Sequence, residues 1–142
     1  MSKIECKVTV GLLLQKEDKV LLIKRKNTDY ENGNYAFPCG HVEENESLKK
    51  AMVRETKEEI GINIKEEDLT FLTVMFKKAD KKYVNFFFQC SHYEEEPINA
   101  EPDKCEEVNW FKIEKLPKNM AKMEERIIYD YKNNINFDEY GW

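Results

Sequence analysis

From Glu46 to Ile60 the chain runs without glycine or proline, is rich in helix formers, and is followed by Gly61 as a C-terminal stop. This predicts a helix, and its buried stripe constrains the fold more than any other segment. Leu48, Ala51 and Met52 stand at i, i+3 and i+4, the spacing of one core-facing side. Extended along the helix, the stripe reaches positions 55, 58, 59 and 62. Ile62 suits a core, but Glu55, Glu58 and Glu59 do not.

Three costs attach to those glutamates. At i, i+3 and i+4 they face and repel one another. Glu58 and Glu59 fall in the last helical turn, where the macrodipole disfavours anions. A position on the stripe implies partial burial, which penalises an unpaired charge. A hard divalent cation removes all three, and Mg²⁺ takes oxygen ligands of this kind. The competing reading is a solvated acidic face, since glutamate supplies 21 of the 28 acidic residues. Helical spacing alone leaves both open.

The rest of the chain shows no repeat and no linker, so one domain is expected over residues 1–142, with a core at about 3–133 and an aromatic tail at 134–142. Val8–Leu14 and Val20–Arg25 read as a hairpin, Asn27–Asn34 as a polar loop, and Tyr35–Pro38 as a short apolar step. Leu69–Phe76 and Tyr83–Cys90 read as a second strand pair. Glu94–Lys104 is an acidic loop, Val108–Ile113 a strand, and Met120–Tyr131 an amphipathic helix. The aromatic segment Phe137–Trp142 is expected to dock on the body. This order predicts an α+β fold, a mixed sheet with helices packed on it.

Charge excludes some partners. With 23 Lys+Arg against 28 Asp+Glu the net charge is −5, which argues against a nucleic-acid polymer or an anionic membrane. The N-terminus has no signal-peptide layout, and no apolar run is long enough to span a bilayer. Cys6, Cys39, Cys90 and Cys105 are widely spaced without a C-x-x-C pair, and read as free thiols of a reducing cytoplasm rather than a zinc site or a disulfide.

Gly40–Ile62 reads GHVEENESLKKAMVRETKEEIGI and resembles the Nudix box, G-x5-E-x7-R-E-U-x-E-E-x-G-U, where U is bulky and apolar. Gly40, Glu46, Arg54, Glu55, Glu58, Glu59 and Gly61 fill every fixed position, and Ile62 the last apolar one. Chance would produce such a match about once in a million sequences of this composition. Thr56 departs from the aliphatic preference, and Cys39 stands where family members often have a second glycine. Leu22–Arg25, Ala36-Phe37-Pro38 and Asn109-Trp110-Phe111 with Leu116-Pro117 are similar to the family's flanking segments, so the resemblance covers roughly residues 3–133. It implies the Nudix fold, a mixed β-sheet between helices (α/β/α), in a MutT-like hydrolase.

The resemblance also implies roles. The family cleaves a nucleoside diphosphate linked to another group. Glu55 and Glu59 would be the principal Mg²⁺ ligands, with Mn²⁺ as a substitute, Glu58 a further ligand or a base acting through water, and the Gly40 carbonyl completing the site. Glu101 matches a late loop acid. Arg54 would orient the carboxylates, while Glu46 and Gly61 are structural. Arg25 would contact phosphate; it and Arg54 are two of only three arginines among 23 cations. Glu124 and Glu125 match an acidic pair that reads the base edge, with a solvated helix start as the alternative. Tyr35 and Phe37 would stack on a base or belong to the core. His41 and His92 read as incidental.

The substrate expected first is a nucleoside triphosphate, (d)NTP, cleaved to (d)NMP and pyrophosphate. ADP-ribose or a nucleotide sugar is the alternative, and a non-catalytic nucleotide-binding module a second. The partner expected is a small-molecule nucleotide, and a homodimer is left open.

Overall fold

The computed structural model describes residues 2–142. Strand β1 (Cys6–Lys16) turns into β2 (Lys19–Arg25), followed by the short strands β3 (Tyr35–Ala36) and β4 (Cys39–His41). Helix α1 (Leu48–Ile60) comes next, then a 3₁₀ turn at Glu66–Asp68, then β5 (Thr70–Lys78) and β6 (Lys82–Cys90). The chain closes with β7 (Cys105–Lys112), α2 (Lys122–Lys132) and β8 (Phe137–Tyr140).

The sheet is mixed, with the order β3-β2-β1-β6-β5-β8, β4 added to β1 and β7 to β2. β1 pairs in parallel with β6 and β5 in parallel with β8; the other pairs are antiparallel. The expected hairpin joins β1 to β2 at Gln15–Val20 and Lys16–Lys19, after which the strands separate and β1 follows β6 while β2 follows β7. Val10, Leu12, Leu13 and Leu14 are all buried, because both faces of β1 are covered. Val10, Leu12 and Leu14 join Ala51, Met52 and Ile60 of α1 in one core cluster. Leu13 points the other way and packs with Phe87, Ile127 and Ile128 on the α2 side. The two helices thus cover opposite faces, which gives the expected α/β/α layering.

Helix α1 starts later than the composition suggests. Ser47 is its N-cap, its hydroxyl accepting from the Lys50 N–H at 3.2 Å, so Glu46 lies just outside. Gly61 ends it in the left-handed region at φ 73°, its N–H donating to the Lys57 carbonyl. Thr56 turns its hydroxyl onto the Met52 carbonyl at 2.7 Å, so a polar residue is buried on the stripe with its donor satisfied. The aromatic tail docks as an edge strand: β8 pairs with β5, and Trp142 packs on Phe76 at 5.1 Å between ring centroids. No described helix is long and apolar enough to cross a membrane. All four cysteines are free thiols.

Candidate active site

Helix α1 aims its last two turns at β4. Glu59 is buried at 8 % exposure, Glu55 is half-buried, and Glu58 faces solvent. The Glu59 carboxyl accepts from the Cys39 N–H at 3.2 Å, which ties the helix to the strand preceding it. Gly40 lies directly against the Glu55 carboxyl, so a Cβ at that position would collide with it. Two further contacts satisfy the helix end: the Ile98 N–H donates to the Ile60 carbonyl at 2.9 Å and the Ala100 N–H to the Glu59 carbonyl at 3.1 Å. They bring the loop that carries Glu101 to the same place.

Arg54 organises this cluster. Its guanidinium donates to both Glu46 oxygens at 3.0 and 2.6 Å, to Glu55 at 2.8 Å, to Glu58 at 3.2 Å and to the His41 carbonyl at 3.0 Å. This planar fork, with the Glu43 N–H, brings the Glu46 carboxyl down to about 2. Glu55 moves up, because burial outweighs the help it receives from Arg54. Glu59 moves well up, through burial first and repulsion by Glu55 second, with Arg25 only partly offsetting them. Glu55 and Glu59 stand at i and i+4 on α1, and the charge of Glu55 is part of what raises Glu59. Among the described residues no three His, Cys, Asp or Glu side chains already form a closed metal cage. The carboxylate donors available are hard oxygens, and burial resists charge on Glu59 until a cation compensates it, which fits a divalent ion of the Mg²⁺ type.

The cluster opens into a cleft of two adjoining lobes of about 520 and 540 Å³. Glu55, Glu58, Glu59 and Glu101 line the first. Sheet register builds the floor of the second: His41, Thr9 and Asn85 are partners in one row across β4, β1 and β6, and Lys7, Tyr83 and Lys77 in the next across β1, β6 and β5. Glu124 of α2 closes that lobe. Arg25, Asp29, Tyr30, Cys39 and His41 line both lobes and so form the junction.

A family model, the NUDIX domain, matches residues 6–131. The chain belongs to the NUDIX family. It is similar to the ADP-ribose pyrophosphatase of Methanocaldococcus jannaschii, 34 % identical over 87 % of this chain and 72 % of that protein. It is also similar to the NAD-capped RNA hydrolase NudC of Escherichia coli, 29 % identical over 73 % of this chain but only 38 % of NudC. Among solved structures, the MutT NUDIX hydrolase of Burkholderia pseudomallei superposes with a TM-score of 0.82 at 27 % identity, covering 88 % of this chain and 97 % of that one. The protein is a NUDIX hydrolase, acting on pyrophosphate bonds, as its family does with divalent metal ions and small nucleotide substrates.

Several residues of the NUDIX box lie together in the structure. Glu55, Glu59, Gly40 and Arg54 converge, with Glu46 held by Arg54, Glu101 alongside, and Arg25 at the junction. Arg25 donates from Nε to the Tyr30 carbonyl at 2.8 Å and faces the Cys39 sulfur at 3.7 Å.

Three expectations need correction. Phe37 is fully buried and packs edge-on against Phe87 at 6.0 Å, so it is core and not a stacking surface. Tyr35 is also core, its ring against Phe111 and its hydroxyl on Glu107, away from both lobes. Glu124 and Glu125 do not act as a pair: Glu124 is buried in the second lobe, whereas Glu125 turns out toward Lys122 at 3.8 Å. Adjacent helical residues point about 100° apart, so only one can face the cleft.

Other cleft residues escaped the sequence reading. His41, taken as incidental, lines both lobes and supplies its carbonyl to Arg54. Tyr30 was part of a loop read only as polar; an aromatic amid Asn, Asp and Gly was the available signal. Its hydroxyl donates to Glu124, 3.1 Å from each carboxyl oxygen. Burial pushes the Glu124 carboxyl up to about 7, opposed by that hydrogen bond and by Lys77 and Arg25.

Proposed function

We propose that this NUDIX hydrolase cleaves the pyrophosphate linkage of a nucleoside diphosphate derivative with Mg²⁺, for which Mn²⁺ can substitute. The observation that carries the reading is the Glu55–Glu59 pair, two carboxyl groups one helical turn apart on α1 and both raised by burial. When bound, a divalent ion neutralises charge on phosphate oxygens and lowers the pKa of a coordinated water. Glu55 and Glu59 would hold it, with the Gly40 carbonyl and Glu58 beside them. Glu58, exposed at the rim, suits a base acting through water, and Glu101 is the other acid of that lobe. Arg54 fixes the carboxylates. Arg25, between the lobes, is placed to take a phosphate, so that the work is positioning and electrostatics.

Nucleoside triphosphates are the substrates we propose first, giving the monophosphate and pyrophosphate. The second lobe supports this, since Glu124 offers a buried acceptor for a base, while Lys7, Arg25, Lys77 and Lys81 outnumber Asp29 and Asp80 along the lobe and suit an anionic ligand. A second reading, ADP-ribose cleaved to AMP and ribose 5-phosphate, is favoured by the 34 % identity to the M. jannaschii ADP-ribose pyrophosphatase. Incubating the protein and Mg²⁺ with the dNTPs, the NTPs and ADP-ribose, followed by product chromatography, separates them. Monophosphate and pyrophosphate are expected from at least one triphosphate. AMP from ADP-ribose with every triphosphate intact would replace the first reading by the second, and no product from any of them would overturn both.

A further inference from the structure

Tyr30 stands on the loop between β2 and β3 and touches neither core cluster, yet it is held from several sides. Its backbone carbonyl takes the Arg25 Nε–H at 2.8 Å. The Arg25 guanidinium carbon lies 5.4 Å and the Lys77 ammonium 4.6 Å from the centre of its ring. Its hydroxyl lies 3.1 Å from both oxygens of Glu124, a side chain only 2 % exposed. A loop tyrosine with two cations at its ring and a buried carboxyl at its hydroxyl is a built element of the cleft.

The other polar side chain deep in this lobe is already engaged. Asn85 donates to the Met75 carbonyl at 3.1 Å, contacts the Met123 sulfur at 3.8 Å, and accepts from the Thr9 hydroxyl. Its amide therefore supports the floor rather than a ligand. Glu124 has no side-chain hydrogen-bond donor other than Tyr30 among the described residues, and a carboxylate offers about four lone-pair positions. Tyr30, by donating, keeps Glu124 an acceptor; a protonated Glu124 would present a donor in its place.

We propose that Tyr30 is a specificity-determining residue that holds Glu124 as a hydrogen-bond acceptor, so that the second lobe selects nucleobases that turn an exocyclic amine toward it from purine C6 or pyrimidine C4 (adenine, cytosine) over uracil and thymine, which carry a carbonyl there. A uracil in the same place would turn its C4 carbonyl toward the carboxylate and could offer its N3–H only by shifting in the lobe, and a buried hydrogen-bonding site disfavours a ligand that pairs with it less well. The inference rests on the nucleotide reading of the cleft proposed above. Tyr30 acts on the base through Glu124 and is a positioning residue in that sense.

Calorimetric titration of the full chain with AMP, CMP, GMP and UMP, in wild type, Y30F and E124Q, tests it independently of turnover. Y30F keeps the ring beside the two cations and removes only the hydroxyl. The wild type is expected to bind the tighter of AMP and CMP at least about tenfold more tightly than UMP. That ratio should fall at least about fivefold in Y30F and vanish in E124Q, and with triphosphates the loss should appear in KM more than in kcat. UMP binding as tight as the others in wild type, no binding of any of the four, or an unchanged ratio in Y30F with native circular dichroism would each overturn the inference. If no triphosphate is cleaved but the Tyr30-dependent ratio is found, the substrate reading fails and this one stands.

Discussion

Gly40 lies so close to the carboxyl group of Glu55 that a single methyl at residue 40 would take the carboxylate's place. The glycine is not required by its backbone, since Gly40 is absent from the positive-φ residues. It is required by space. Gly40→Ala should therefore fold and still lose at least about 10²-fold in kcat/KM, because the carboxylate proposed to hold the metal is displaced. Steady-state kinetics over a Mg²⁺ series, with a melting curve, check this: the metal dependence should move to higher Mg²⁺ while the melting temperature changes by a few degrees at most.

Arg54 makes five hydrogen bonds of 2.6–3.2 Å to four residues, and a lysine cannot reproduce that fork. Arg54→Lys is expected to lower kcat about tenfold or more with a smaller effect on KM, since it loosens carboxylates that do not themselves bind the base. It should also cost about 1–3 kcal/mol of stability by leaving Glu46 with one partner fewer, measurable by urea unfolding. An unchanged kcat would show that the Glu55 and Glu58 positions do not depend on Arg54.

The helix with its misplaced carboxylates was legible because two rules conflicted there: the stripe asked for apolar residues at positions 55, 58 and 59 and found glutamate. Conflict of that kind marks a site. Phe37 and Tyr35 gave no such signal, because an aromatic beside a strand reads the same whether it packs inward or meets a ligand. The Glu124–Glu125 distinction was within reach, since neighbouring helical residues diverge, but which of them faced inward depended on where α2 lay on the sheet. The second lobe was beyond reach. Its rows, His41–Thr9–Asn85 and Lys7–Tyr83–Lys77, exist only through the parallel pairing of β1 with β6, which joins segments more than 70 residues apart. No local pattern carries that register.

At 8 % exposure beside Glu55, Glu59 ionises only against burial and repulsion, so the charged form that a metal ligand needs is strained in the metal-free protein. Glu59→Gln removes the charge and keeps the shape. It should abolish at least about 10²-fold of turnover, and Glu55→Gln should do the same. For Glu59→Gln, the melting temperature in EDTA should equal or exceed that of wild type, and Mg²⁺ should raise it less than it raises wild type. Full activity in both variants would remove these residues from the metal site, and an equal Mg²⁺ shift in Glu59→Gln would remove Glu59 as a ligand.

Asp130 is fully buried on α2, with neither carboxyl oxygen hydrogen-bonded, facing Asp138 of β8 and lying 3.8 Å from Arg126. Arg126 spends its closer contact, 2.8 Å, on Asp138. Burial, with Asp138 adding to it, pushes the Asp130 carboxyl from 3.8 up to about 7. The folded state therefore binds a proton that the unfolded chain releases near pH 4, and the sign follows. This group's contribution to stability is fully present below about pH 4 and is lost as the pH rises toward and through 7. Asp130→Asn keeps the size and removes the titration. Melting temperatures at pH 5.5 and pH 8 should show the variant gaining on wild type by a few degrees at the higher pH, with the junction of α2 and β8 the region affected. Parallel pH dependence in the two proteins would mean that Asp130 stays ionised in the fold, with Arg126 and not a proton as its partner.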